Sequence, residues 1–322
     1  MRNGGSIGLG LAGCMALWAS SAAAQVGSAL IAVPWAPDQN VQATAYFLGL
    51  QTDAEVTGLE TNLSRGVSFG RFRPETQDPG AASFGWLYDH TQIDSADPLL
   101  PERLVTAAGA VGFGLGEIFD GWDTKVSVGV GFAGDLPFTD EDAWFGLGSV
   151  VATKRLDERT ALTFIIDFDG SRSIFPDIPL PGIQYSVFES PNLQYSLGLP
   201  FSTLSYRPDD RWLIDVRYVL PIGGRVNVEY RLADGWTAYG NYSASTRGFH
   251  LDGEDENERL FFEQDRLEAG LRFEAPGGWT WHVAGGWAFD QEFSRGFDVR
   301  DDELVRELDD AAFLRFGVAV SF

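Results

Sequence analysis

The last twelve residues, AAFLRFGVAVSF, separate by parity into an apolar set (Ala312, Leu314, Phe316, Val318, Val320, Phe322) and a mostly small or polar set (Ala311, Phe313, Arg315, Gly317, Ala319, Ser321). Successive side chains of a β-strand point to opposite faces, so this alternation predicts a strand with one apolar face. The pattern returns in GRVNVEYRL, where Val226, Val228, Tyr230 and Leu232 alternate with Arg225, Asn227, Glu229 and Arg231. It returns again in RLEAGLRFE, WTWHVAGGWAFD, TKVSVGVGFAG and ALTFIIDFD. A chain that repeats this period folds into sheet, and what remains open is whether the apolar faces meet a protein core or lipid.

The N-terminus reads as an export signal. Arg2 begins it, SIGLGLAGCMALWA supplies an apolar stretch, and Ala22 and Ala24 stand in A-x-A positions, so cleavage is expected before Gln25. This divides the chain into a signal peptide, 1–24, and a barrel, 25–322, of which 25–83 has uncertain strand content. A competing reading takes Leu11-Ala12-Gly13-Cys14 as a lipobox with Cys14 acylated. Past the signal, no run approaches the roughly 18 apolar residues that a membrane helix needs. A membrane-spanning form of this chain must therefore be a closed barrel, the other structure that satisfies every backbone polar group in lipid.

The connections favour lipid. Short turns recur at 119–121, 156–159, 207–210, 233–235 and 275–278, each rich in Gly, Pro or Asp. Longer polar segments lie between them at 93–103, 134–142, 170–192, 247–258 and 291–310. PIGG at 221–224 breaks the alternation with a tight turn where a loop is expected. Counting back from the C-terminus predicts about 12 antiparallel up-and-down strands, with both termini periplasmic. Residues 41–73 could add two more, for 14. Trp122, Trp212, Trp236 and Trp279 each follow a short turn, the expected position of a membrane girdle.

The terminal strand ending in Phe322 resembles the C-terminal assembly signal of Gram-negative outer-membrane barrels, which implies recognition by the barrel assembly machinery. Residues 195–291, with Pro200, Tyr206, Pro221 and Tyr230 at characteristic spacing, are similar to an uncharacterised bacterial family of predicted outer-membrane β-barrels. The resemblance implies a transmembrane barrel in the outer membrane and no particular substrate.

Chemical motifs are sparse. GVGFAG at 129–134 matches G-x-G-x-x-G but is followed by DLPFTDED rather than a helix. Its glycines are expected on the lumen face, leaving room for a loop or water. Three histidines, His90, His250 and His282, form no triad or metal motif, and His282 is expected in a lumenal hydrogen-bond network. No catalytic residue, metal or cofactor is expected, and a barrel enzyme is the weakest alternative.

The inward charges carry more. Asp215, Arg217, Arg225, Glu229, Arg231, Arg266, Glu268, Arg272 and Glu274, with Asn227 and His282, are the expected lumen lining. They would form either a selectivity lining or a salt-bridge network that plugs the lumen. Orientation further predicts that Val228→Arg and Phe316→Arg impair assembly while Asn227→Arg is tolerated.

A net charge of −23 excludes nucleic acid as a partner. More than half of that charge sits in three acidic loops, at 135–142, 252–259 and 290–310. Expected partners are membrane lipid, lipopolysaccharide and small hydrophilic solutes. The expected function is a passive porin-like channel with a cation preference, and the alternative is a closed structural or surface-interaction barrel.

Overall fold

The computed structural model describes residues 27–33, 35, 39–56, 58–74, 80–219 and 223–322. The expected signal at 1–24, with Cys14, and Pro221 lie outside these residues.

One short helix, α1 (Ser28–Ala32), precedes seventeen strands: β1 (Val41–Val56), β2 (Leu59–Phe72), β3 (Ser83–Ser95), β4 (Arg103–Phe119), β5 (Trp122–Gly134), β6 (Trp144–Arg155), β7 (Thr160–Asp169), β8 (Leu180–Ser190), β9 (Leu193–Leu199), β10 (Phe201–Tyr206), β11 (Trp212–Val219), β12 (Gly223–Ala233), β13 (Trp236–Phe249), β14 (Arg259–Ala275), β15 (Trp279–Gly296), β16 (Glu303–Leu308) and β17 (Ala311–Ser321). Each strand from β1 to β15 pairs antiparallel with the next, β15 pairs with β17, and β17 pairs with β1. The ladder closes into a barrel, with β16 appended to the upper part of β15. Phe322 reinforces the seam: its carbonyl accepts the N–H groups of Asn40 and Val41, and its own N–H donates to the Val41 carbonyl at 3.1 Å.

The wall therefore has sixteen strands, not the expected twelve or fourteen. Two of the four extra strands are β1 and β2. A third, β8, was read as loop because Pro181, Gly182 and several serines dilute its alternation, yet Ile183 and Tyr185 still point outward and are exposed. The fourth arises at Pro200, where the stretch 193–206 reverses into the β9–β10 hairpin. A proline inside a strand removes a ladder donor, and here the chain turns instead, with the Gly198 N–H donating to Ser202 Oγ at 3.2 Å. The even count survives the correction, so both ends of the barrel lie on one rim.

That rim carries short turns at 120–121, 156–159, 191–192, 207–211, 234–235 and 276–278, together with one longer connection at 73–82. The opposite rim carries the long loops 96–102, 135–143, 170–179, 250–258 and 297–310, but on it β1 and β2, β9 and β10, and β11 and β12 are separated by three residues or fewer. The strands are consequently uneven. β9 and β10 have 7 and 6 residues, whereas β14 and β15 have 17 and 18.

The tall side folds over the loop-rim mouth. His250, just after β13, makes a parallel bridge with Gly134 at the end of β5. Beneath it, Leu63, Ile93, Leu104, Phe249, Leu260, Phe262 and Phe293 pack into an apolar roof. Loop 170–179 joins the roof through Val299 N–H to the Ser173 carbonyl at 3.0 Å and Arg259 Nη2 to the Arg172 carbonyl at 3.1 Å. Arg306 on β16 donates to the Asp97 carboxylate, which also accepts the Leu99 N–H at 2.9 Å.

Outside, the wall is apolar. Val128, Val150, Phe164, Leu197, Leu267, Val283 and Phe316 are all exposed on outward parity. Among the described residues, no helix is long and apolar enough to cross a membrane.

Phe316→Arg places a charge in this outward band and should cost about 2 to 4 kcal/mol. Gln194→Arg, on the half-buried inner face of β9, should be tolerated; the comparison is read from the fraction of heat-modifiable, folded protein after refolding. A second expectation concerns the roof. The hydrogen bond from Arg306, with that from Leu99 N–H, holds the Asp97 carboxyl below the ordinary 3.8. The tether is therefore complete above that value and is lost as pH falls through the lower folded value. Asp97→Asn should accelerate amide exchange across Glu303–Leu308 at neutral pH to the level that wild type reaches only on acidification.

Candidate functional site

The barrel interior gathers the chain's buried charge. On β14 and β15 the inward positions include Arg266, Glu268, Arg272 and His282, each less than a tenth exposed. On β12 they include Asn227 and Glu229, equally buried, and Arg225, half-buried. Asp215 and Arg217 on β11 are half-buried, while Arg231 and Glu274 stand exposed at the turn-rim mouth. Charged groups survive inside such a wall when they pair or meet water.

Several pairs reach past intervening strands, which fixes their inward direction. Arg272 on β14 grips Glu229 on β12 through two bonds of 2.9 and 2.8 Å, and Asn227 Nδ2 adds a third at 3.0 Å. Arg315 on β17 holds Glu268 on β14 with both Nε and Nη2, and the same Nη2 donates to the Tyr239 hydroxyl at 3.0 Å. The Arg315 guanidinium also lies 5.3 Å from the Tyr46 ring centroid. Nearer the roof, Asp89 on β3 binds Arg65 on β2 and, across the barrel, Arg247 on β13 at 3.2 Å.

Sequence reasoning missed Arg65, Asp89, Arg247 and the pairing of Arg315. Arg65 sits on inward parity in a strand that the count left doubtful, and Asp89 on inward parity in the most N-terminal strand that it included. Two other expectations are corrected. The His282 imidazole makes no hydrogen bond to any described residue, so it is not a node of the network. Asn227 is 4% exposed and bonded to Glu229, so Asn227→Arg would crowd a packed site and add a cation beside Arg225.

The three histidines do not converge: His90 lies on the outer parity of β3, His250 in the roof, and His282 inside β15. GVGFAG is a segment of β5, and the space where a Cβ of residue 131 would stand is filled by the Phe145 ring of the neighbouring strand. Gly270 admits the Tyr239 ring in the same way. Among the described residues, no cluster of His, Cys, Asp and Glu could hold a metal ion.

A second interior feature is α1. Leu30 and Ile31 pack on Val151 and Ile165, with Ala110 and Phe201 beside them. Gly27 is tied down by Ser127 Oγ, which donates to its carbonyl at 3.2 Å. The chain then leaves the lumen past Trp35, whose ring is flanked by the guanidiniums of Arg71 and Arg73 at 4.0 and 4.9 Å. The helix fills the β3–β7 side of the lumen near the turn rim. The inner face of β8 to β10 is different: Gln184, Ser186, Gln194, Ser196, Thr203 and Ser205 are small or polar and only half-buried.

Trp122, Trp212, Trp236 and Trp279 are the first residues of β5, β11, β13 and β15, on outward parity and in one ring at the turn rim. The last three are more than 40% exposed, as an interfacial girdle requires.

No protein-family model and no curated protein sequence matches the chain. Among solved structures it is similar to a deltaS2S3 mutant of the monoaromatic hydrocarbon channel TodX, at 12% identity over 93% of each chain with a TM-score of 0.43. It is also similar to an outer membrane channel from Pseudomonas putida F1, at 11% identity over 88% of this chain and 95% of that one, TM-score 0.36. A third similarity is to Salmonella typhi OmpF, at 9% identity over 88% and 97%, TM-score 0.29. The chain has the fold of an outer-membrane β-barrel. Its own geometry carries that statement: an even, closed antiparallel ladder, an apolar outer band and a tryptophan ring at the turn rim.

Glu268→Gln leaves the buried Arg315 cation without its carboxylate and should destabilise the barrel by about 3 to 5 kcal/mol. Thermal unfolding in detergent measures this, and Glu268→Gln combined with Arg315→Leu should recover most of the loss.

Proposed function

We propose that the protein sits in the outer membrane, exported by the signal at 1–24, and conducts small hydrophilic solutes. The observation that carries this reading is the polar inner lane along β8–β10. Its side chains are short, hydrophilic and reachable by water, and it runs beside α1 toward the part of the loop rim where the wall is lowest. A buried face with no transport role would be packed, as the inner face of β13–β15 is.

The acidic loops concentrate cations at the external mouth. Their charges are exposed and screened by salt, so the expected cation preference belongs to that mouth. In this reading no residue performs catalysis, and lipopolysaccharide and the assembly machinery, recognising Phe322, are its partners.

One rival is supported by specific contacts. The apolar roof and the ion pairs that bridge the interior also suit a closed barrel whose loops act on surface partners. Planar-bilayer recording of the refolded full chain separates the two. Ohmic single-channel steps, enlarged when Leu30 and Ile31 are both changed to Ala to loosen α1, are expected of the channel. Silence in wild type and in that variant, from protein that is folded and heat-modifiable, would leave the closed barrel.

A further inference from the structure

The interior places like charges side by side. Arg217 on β11 is directly opposite Arg225 on β12, Arg225 is opposite Ser243 on β13, and Ser243 is opposite Arg266 on β14. Four neighbouring strands thus present three guanidiniums and a hydroxyl on one inward row. Strands lie about 4.8 Å apart, so Arg225 and Arg266 start roughly 10 Å from each other. Like charges directly opposite destabilise a sheet, and burial sharpens the penalty.

Two members of the row have no ion-pair partner among the described residues. Neither Arg225 nor Arg266 has a carboxylate within 4 Å among the described residues, and Arg266 is 6% exposed. The carboxylates nearest in register are Asp215 and Glu268, one rung toward the turn rim, and Glu268 is already held by Arg315. Above the row, the single carboxylate of Asp89 is shared by Arg65 and Arg247. Buried donors are left over as well: Arg225 Nε, Arg247 Nε and Arg65 Nη1 have no hydrogen-bond partner. The row therefore holds a buried donor, Arg225 Nε, without an acceptor and two cations without an ion-pair partner, and it borders the polar lane at half-buried Arg225.

We propose that the arginine row Arg217–Arg225–Arg266, with Ser243, is a binding site for an oxyanion, the phosphate or carboxylate group of a small solute. Guanidinium forks match such groups bidentately, and a bound oxyanion would supply the negative charge that Arg225 and Arg266 lack and an acceptor for Arg225 Nε. The assignment rests on the channel reading only for the route by which the solute arrives. As a site on that route, the row makes the interior anion-preferring although the outer mouth is acidic.

The test titrates sodium phosphate, and separately sodium acetate, calorimetrically into the detergent-solubilised full chain at constant ionic strength. Saturable binding is expected for wild type, weakened about tenfold or more in Arg225→Gln/Arg266→Gln, as loss of charged hydrogen bonds implies. Binding of phosphate alone, of acetate alone, or of both identifies the group. No saturable heat with either anion, from folded wild-type protein, overturns the proposal, as does undiminished binding in the folded double variant. Should the double variant fail to fold, Ser243→Leu, which obstructs the row without removing a charge, must weaken binding instead. Bilayer recording keeps the two readings apart: binding in detergent by a silent barrel would retain the site and discard the channel.

Discussion

Everything in this molecule depends on a ladder of backbone hydrogen bonds that closes on itself. In lipid an unpaired amide or carbonyl has no water to turn to, so a sheet can cross only when its first strand finds its last. Here β1 meets β17 along nine paired positions, and the Phe322 main chain ties the join at the turn rim. Once that seam forms, residues distant in sequence become neighbours, and the interior acquires its chemistry.

Closure with sixteen strands encloses more space than side chains of one wall can fill. The chain fills part of it deliberately: α1 occupies the β3–β7 side, ion pairs tie β12 to β14 and β14 to β17, and the tall β13–β15 strands bend over the mouth onto β5. What remains is an off-centre lane along β8–β10, where the wall is also shortest. The same asymmetry explains why the interior is charged on one side and merely polar on the other. Long strands bring many inward positions together, and there Arg272 and Arg315 reach the carboxylates of Glu229 and Glu268.

Much of this was legible in the alternation of residues. Inward and outward faces of β11, β12, β14 and β15 follow directly from period two, and so do the four tryptophans that open strands after short turns. The errors have local causes. Pro181 and Gly182 blurred β8, and Pro200 looked like an irregularity within one strand because the hairpin it makes has almost no loop. The opposition of Arg217 and Arg225 was within reach, since both stand four residues from 221, but the turn at 221–224 was read only as an exception to the loop pattern.

The sequence by itself determined that the chain is sheet, that its strands have one apolar face, and that a closed barrel is the only way for it to span lipid. Those conclusions need nothing beyond side-chain parity and the cost of an unpaired backbone group. Only the tertiary structure decided the number of strands, the placing of α1 in the lumen, the sharing of Asp89 between Arg65 and Arg247, and the pairing of Glu268 with Arg315. The reason is physical: register within a hairpin is set by its turn, but a contact across the lumen exists only after the ladder has closed, and no local pattern records which strand will face which.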